Sequence, residues 1–233
     1  MYLTYQDRQR IADGVSFIRT VMAFGTDLDF GYSSQDEYEI QRAHEFGIAI
    51  ENRDYAAMRD YLSGWNRVNP NSRYNLGTLL FPLYQAVMQD DLTAVQILVE
   101  AGANVNQQQN NGEFALAIAA NRGDTQIVEY LLRNGANPNL RTGSMVALSF
   151  ASTAEIVNIL IRYGADPNMP DSDGDAPIVE QVCSGRWDVV EALIKGGTNL
   201  RARNYSGQSF IDFWNSYNGY KPWNISSLIR LYS

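Results

Sequence analysis

Four short segments of the chain repeat at a spacing of about 33 residues. They read AGANVN, NGANPN, YGADPN and GGTNLR, and each has a glycine at its second position. The four glycines are Gly102, Gly135, Gly164 and Gly197, which are separated by 33, 29 and 33 positions. A period of this length is typical of repeat proteins, in which one small unit is stacked several times. The period constrains the possible folds more strongly than any other feature of the sequence.

Each glycine follows an apolar pattern that is typical of an amphipathic helix. The pairs Ala94-Val95 and Leu98-Val99, for example, form one stripe along a helix. Glycine then suits a left-handed residue after the helix, and the following Asn, Asp or Pro starts a turn. A shorter apolar segment precedes each long helix, at 81–89, 114–122, 146–152 and 176–184. The pattern therefore predicts two helices in each unit, and the apolar stripes of these helices become buried only when the units stack.

The segment FPLYQAV, followed by DLTAVQILVEAGANVN, resembles the ankyrin repeat family in its Thr-Pro-Leu-His-x-Ala helix and its Gly-Ala-Asp-Val-Asn turn. The resemblance is strongest over residues 75–200. It implies an all-α fold, an ankyrin-repeat solenoid of stacked helix-turn-helix units with short hairpin-like turns. We expect one continuous folded body, which consists of an N-terminal helical cap segment at 1–40, a degenerate first unit at 41–74, and units at about 75–107, 108–140, 141–169, 170–202 and 203–233.

The sequence departs from the family pattern at the Thr and His positions. These positions hold Phe81 and Tyr84, Phe114 and Ala117, Val146 and Ser149, Ala176 and Val179, and Ser209 and Asp212. Because the usual hydrogen bonds between neighbouring turns are lost, we expect apolar contacts to replace them and the stack to be less regular. The unit at 141–169 is also about four residues shorter than its neighbours. We therefore expect a tight connection between its helices and a kink or altered curvature there.

The N-terminal segment predicts two further helices. Apolar residues over 5–24 follow a helical spacing, and Ser34 with Glu37 is typical of a capping box that starts a helix over 35–51. One interpretation is that these helices cap the end of the stack, because a terminal unit needs a polar outer face. The alternative is a separate effector segment.

Composition narrows the class of protein. The net charge is −8, which argues against binding to nucleic acid, because phosphate contacts need Lys and Arg. The middle of the chain, 74–200, is the most acidic part, whereas 201–233 is mildly basic. Cys183 is the only cysteine, so an intrachain disulfide is excluded. No apolar stretch reaches 18 residues, so we expect a protein that does not enter a membrane. We further expect it to be cytoplasmic, and we favour a monomer.

Residues that could carry catalysis are scarce. His44 is the only histidine, and with Cys183 it makes a weak catalytic pair. The segment DSDGD at 171–175 does not fit a calcium loop, because Ala176 and Val182 stand where Gly and Glu are required. No phosphate-binding or dinucleotide-binding motif is present. We therefore predict a protein that is not an enzyme and that has no metal and no cofactor.

The resemblance implies that the turn tips and the ends of the short helices form a concave binding face. Asn, Gln, Ser and Tyr at such tips provide adaptable hydrogen bonds with aromatic anchors. Arg141 and Tyr205 belong to residue types that often dominate interfaces. The predicted partner-binding residues are Gln107, Gln108, Gln109, Asn110, Glu113, Asn121, Arg122, Arg141, Asp171, Asp173, Asp175, Ser184 and Tyr205.

These features predict a protein–protein interaction module. A small, acidic, ankyrin-like chain resembles the immunity proteins that neutralise bacterial toxins. Our specific hypothesis is therefore an inhibitor of a cognate basic toxin, such as a nuclease, because an acidic surface speeds association with a basic partner. The alternatives are a targeting or scaffold protein, and an enzyme or ligand binder whose site lies in the N-terminal segment.

Overall fold

The computed structural model describes residues 34–65, 67–72 and 81–233. The helix predicted over 5–24, most of the cap segment and the side chain of Ser34 lie outside the described residues. The chain divides into two compact units between Asn104 and Val105. Within the described ranges, no helix is long and apolar enough to cross a membrane.

The described part of the first compact unit contains four helices: α1 (Ser34–Glu51), α2 (Tyr55–Tyr61), α3 (Pro82–Met88) and α4 (Leu92–Glu100). The predicted helix over 35–51 agrees with α1. Within the degenerate first unit, the repeat pattern over 46–65 predicts a short helix, a turn and then a longer helix. In the structure the first of these helices is the end of α1, which has 18 residues in all, and the second is α2, which has 7.

The second compact unit contains eight helices and one very short hairpin. They are α5 (Ala115–Arg122), α6 (Thr125–Arg133), β1 (Arg141–Thr142), β2 (Met145–Val146), α7 (Ala147–Phe150), α8 (Ala154–Arg162), α9 (Pro177–Cys183), α10 (Trp187–Lys195), α11 (Phe210–Ser216) and α12 (Trp223–Tyr232). β1 and β2 are antiparallel, with Arg141 paired to Val146 and Thr142 paired to Met145. The predicted all-α class is therefore confirmed.

Residues just before the helices cap their first turns. Asp54, Asp91 and Asp124 each accept a hydrogen bond from a backbone N–H in the first turn of the helix that follows. Ser209 and Asp212 form a reciprocal capping box at the start of α11. The backbone N–H and the hydroxyl of Ser209 donate to the Asp212 carboxylate, so the pKa of Asp212 lies below its ordinary value.

Apolar side chains occupy the place of the family's threonine in most repeats. Phe114 and Val146 are buried almost completely, and Phe81 is buried as well. Apolar packing at these positions agrees with the expectation. The expected loss of hydrogen bonds between neighbouring turns is not observed, because asparagine side chains such as Asn139 bond the next turn. Ser209 is different, because its hydroxyl caps α11 as a threonine would.

The short unit at 141–169 has a tight connection between its helices, as expected. Its first helix, α7, has four residues, and only 151–153 separate it from α8. The backbone N–H and the hydroxyl of Ser152 both donate to the carbonyl of Ala120, each at 3.1 Å. Ser152 thus joins the shortened connection to the preceding repeat. The altered curvature stays a prediction.

Candidate functional site

The turns after the long helices are linked by asparagine side chains. Asn139 is typical: its Nδ2 donates to the Gly164 carbonyl at 2.9 Å, and its Oδ1 accepts from the Asp166 N–H at 2.8 Å. One amide side chain therefore bonds two backbone groups of the next turn. We call this set of residues the asparagine ladder; its members are Asn71, Asn106, Asn139 and Asn168.

The other members of the asparagine ladder make the same pair of contacts. Asn106 bonds Gly135 and Asn137 at 3.0 and 2.7 Å. Asn168 bonds Gly197 and Asn199 at 3.3 and 2.7 Å. In the first compact unit, Asn71 bonds Gly102 and Asn104 at 3.0 and 2.6 Å. Because these amides are used internally, the asparagine ladder positions the turns and does not itself offer a binding surface.

Two of the predicted binding residues also link neighbouring tips. Gln108 Nε2 donates to the Gly112 carbonyl of its own hairpin at 3.0 Å and to the Arg141 carbonyl of the next hairpin at 2.5 Å. Arg141 Nη1 likewise donates to Ser144 and Pro170, at 2.8 and 2.7 Å. The structure therefore gives the Gln108 amide and the Arg141 guanidinium an internal role.

The acidic tip at 171–175 holds its own shape. One oxygen of Asp171 accepts from the N–H groups of Asp173 and Asp175, at 2.8 and 2.9 Å. The Asp175 carboxylate accepts from Asn204 Nδ2 at 2.8 Å. Asp173 is the exposed carboxylate of the three. Over the described residues, no group of three or more His, Cys, Asp or Glu side chains could hold a metal ion.

Tyr205 is held next to Asp173 by the backbone. Its N–H donates to the Asp173 carbonyl at 3.0 Å, and its ring lies beside Gly174. A Cβ atom at Gly174 would lie 2.7 Å from the Tyr205 nitrogen, so only glycine leaves room for this approach. The Tyr205 side chain is 75% exposed. The structure thus joins the backbones of two exposed residues, a tyrosine and an aspartate, at two neighbouring tips.

A small recess lies below these two tips. Its lining includes Asp175, Val179, Asn204, Gln208 and Phe210. Gln208 and Asn204 are absent from the sequence-based candidates. The repeating tip positions could have indicated them, since Asn204 stands at the position of Asp171 one repeat later.

The remaining candidates lie in different environments. Gln109 is buried, whereas Gln107 and Glu113 are half-buried and Asn110 is exposed. Asn121, Arg122 and Ser184 are exposed at the ends of α5 and α9. A buried side chain cannot face a partner, so Gln109 fits the predicted role least well. The binding role of the others stays a prediction.

Cys183 does not have the environment of an activated thiol. Burial raises the pKa of its thiol, and the nearby carboxylates of Glu180 and Asp175 raise it further. His44 lies in the other compact unit, where it is half-buried in α1.

Known proteins that resemble this chain contain the same repeat. Residues 46–142 match the family described as ankyrin repeats, in three copies. This part of the chain consists of ankyrin repeats. The asparagine ladder continues the pattern beyond residue 142, because Asn168 contacts the turn at 197–199 as Asn106 contacts the turn at 135–137. Ankyrin repeats indicate a protein–protein interaction module.

Three relatives are similar to parts of this chain. The BRCA1-associated RING domain protein 1 of Caenorhabditis elegans is 51% identical over 124 residues, which are 49% of this chain and 17% of the relative. The B-cell lymphoma 3 protein homolog of Mus musculus is 43% identical over 60 residues, 26% of this chain and 13% of the relative. The 2-5A-dependent ribonuclease of Homo sapiens is 47% identical over 60 residues, which are 25% of this chain and 8% of the relative. This chain therefore spans less than a fifth of these relatives.

Proposed function

We propose that this protein binds a protein partner through the hairpin tips of residues 105–233 and has no catalytic activity of its own. Tyr205 and Asp173 carry this proposal, because both side chains are exposed and a hydrogen bond joins their backbones. Aromatic residues dominate the binding energy of many interfaces, and a tyrosine loses little conformational entropy when it is bound. The backbone hydrogen bond to Asp173 already fixes the Tyr205 backbone, which reduces the entropic cost of binding further.

The charge of the chain supports a basic partner. The net charge is −8, and Asp173 adds an exposed carboxylate at the proposed binding surface. Such a surface steers a basic protein toward it and speeds association. We propose, as the specific role, inhibition of a basic toxin such as a nuclease in the cytoplasm, in which the tips cover the active site of the toxin.

A targeting or scaffold role is the second candidate function. The comparison with known proteins favours it, because the matched segment is at most 17% of the length of the three relatives described above. The matched segment is thus a small part of each of those proteins, which fits a module that brings a longer protein to its partner. The two candidates share the binding surface and differ in what happens to the partner. Loss of the partner's own activity on binding supports the inhibitor, and retention of that activity supports the scaffold.

The proposal is tested by capturing partners from the native host on the wild-type protein and on a Tyr205→Ala variant. We expect Tyr205→Ala to weaken binding of the specific partner by about tenfold or more, as truncation of a central aromatic residue does. The matched control is Tyr220→Ala, because Tyr220 is 74% exposed and Tyr205 is 75% exposed. A partner that binds both variants equally well does not use this surface.

An Asp173→Lys variant tests whether the acidic surface attracts a basic partner. Asp171 and Asp175 are unsuitable for charge reversal, because their carboxylates accept hydrogen bonds that shape the tip. We expect Asp173→Lys to slow association with the captured partner while the structure of the tip is retained. An unchanged association rate would contradict a basic partner at this position.

A further inference from the structure

The dipeptide Asn-Gly occurs three times in the chain, at 111–112, 134–135 and 218–219, and each copy lies within the described residues. Asparagine before glycine is a reactive pair. The backbone nitrogen of the glycine can attack the side-chain amide of the asparagine, and glycine has no Cβ atom that hinders the approach. The attack requires that the glycine N–H and the asparagine side chain are both free to move. The three copies differ in this respect.

Two hydrogen bonds hold the copy at Asn111-Gly112. The Gly112 N–H donates to the Gln109 carbonyl at 3.0 Å. The Oδ1 atom of Asn111 accepts from the Glu113 N–H at 3.1 Å. Before the attack, the glycine nitrogen must leave its acceptor and the asparagine side chain must rotate away from its donor. Both hydrogen bonds therefore oppose the reaction.

Two hydrogen bonds also hold the copy at Asn134-Gly135. The Gly135 N–H donates to the Leu132 carbonyl at 3.1 Å. The Nδ2 atom of Asn134 donates to the Tyr130 carbonyl at 2.8 Å. The attacking nitrogen and the attacked amide are thus engaged elsewhere in this copy as well.

The copy at Asn218-Gly219 lies between α11 and α12, where both residues are exposed. Among the described residues, the Asn218 side chain and the Gly219 N–H have no hydrogen-bond partner. A Cβ atom at Gly219 would collide with the hydroxyl end of Tyr217, whose ring packs against Phe213 and Trp214. Packing therefore favours glycine at this position, while no hydrogen bond protects the reactive pair.

We propose that Asn218 is a site of spontaneous deamidation, which converts it to isoaspartate or aspartate. The Gly219 nitrogen forms a bond to the side-chain carbonyl carbon of Asn218. The C–N bond of the side-chain amide breaks, and ammonia leaves with the proton of the Gly219 N–H. The resulting succinimide ring takes up one water molecule. Because water opens the ring at either carbonyl, both isoaspartate and aspartate are formed, and the reaction needs no reagent besides water.

Deamidation changes both the charge and the backbone of this loop. It adds a negative charge to residues 201–233, which hold four basic residues and one acidic residue. Isoaspartate also lengthens the backbone, because the Cβ atom of the side chain becomes part of the main chain. The next residue, Tyr220, packs edge-on against Trp187 of α10, with ring centroids 6.3 Å apart. We therefore expect isoaspartate at 218 to loosen the packing of the loop on the preceding repeat. Tyr205 and Asp173 take no part, so this site is independent of the proposed function.

Peptide mapping of the folded protein by mass spectrometry, after incubation at neutral pH, tests the proposal. The other two copies are matched controls within the same molecule, because they have the same dipeptide. We expect Asn218 to deamidate about tenfold or more faster than Asn111 and Asn134, since two hydrogen bonds must break at each control site. In urea, where these hydrogen bonds are lost, the three rates should become similar. Equal rates in the folded protein, or a difference that persists in urea, would overturn the proposal.

The products provide the second measurement. Isoaspartate at 218 requires the succinimide, whereas direct hydrolysis of the amide yields aspartate alone. An Asn218→Asp variant is the control for the structural consequence, because it carries the new charge on a backbone of ordinary length. We expect protein with isoaspartate at 218 to unfold at a lower urea concentration than Asn218→Asp. Aspartate as the sole product would overturn the attack by Gly219, and equal unfolding midpoints would overturn the loosening of the loop.

Discussion

Gly174 determines how closely the two tips of the proposed binding surface approach. Its φ angle is +86°, in the left-handed region that glycine tolerates and other residues rarely adopt. Its missing side chain also leaves room for the Tyr205 backbone and ring. A single residue therefore meets two requirements, one of backbone conformation and one of packing.

We expect Gly174→Ala to lower the free energy of unfolding by about 2–3 kcal/mol, because left-handed strain and a backbone clash add together. The matched control is Gly143→Ala, whose φ is +59° and whose added Cβ would meet nothing within 4 Å. The control should lose about 1 kcal/mol, from strain alone. Urea denaturation measures both values. Equal losses would show that the contact with Tyr205 adds no constraint.

The sequence places Tyr205 and Asp173 at turn tips, and both are exposed in the structure. Their role in binding stays a prediction. The sequence did not predict that Gln108 and Arg141 donate to backbone carbonyls of the following tip. Residue type and position in a turn do not reveal whether an acceptor about 30 residues later comes within 3 Å. That information depends on how the repeats stack.

At the scale of the helices and turns, the asparagine ladder does the work that threonine and histidine do in the family pattern. The sequence contains its signature, an Asn or Asp two positions before each ladder residue, as in Asn137 and Asn139. The sequence pattern predicts only that residues of this kind begin the turns. The structure adds that Asn106, Asn139 and Asn168 also bond the next turn.

We expect Asn139→Ala to lower the free energy of unfolding by about 1–2 kcal/mol, because two backbone groups of the next turn lose their partner. Water can reach these groups, which keeps the loss moderate. Asn158→Ala is the matched control, because Asn158 is an exposed asparagine within α8. The control should be neutral or slightly stabilising, since alanine favours a helix. Thermal and urea denaturation distinguish the two, and equal effects would contradict a role for the ladder.

The helices themselves follow from the sequence where a glycine and a full apolar stripe coincide. The stripes of α6, α8 and α10 are buried as predicted, and each helix is followed by a left-handed glycine. Between residues 46 and 65 neither signal is complete. Gly64 lies three residues after α2 ends, and Met58 is the buried residue of α2. The repeat pattern therefore did not predict that α2 ends at Tyr61, whereas the capping pattern at Ser34 and Glu37 did predict that α1 extends to residue 51.

At the scale of the whole molecule, the acidic residues and the large exposed apolar side chains of α12 lie in different parts of the chain. The chain carries a net charge of −8, yet residues 201–233 hold four basic and one acidic residue. That end also carries Trp223 and Leu231 on α12. The acidic part suits a basic partner, so binding of such a partner should depend on the salt concentration.

We expect salt to weaken binding of the captured partner. Ions screen the attraction between an acidic protein and a basic partner, so the association rate should fall between about 50 mM and about 500 mM NaCl. Surface plasmon resonance at both salt concentrations measures this rate. An association rate that does not change with salt would contradict a basic partner, because the net charge of −8 could then contribute nothing to the encounter.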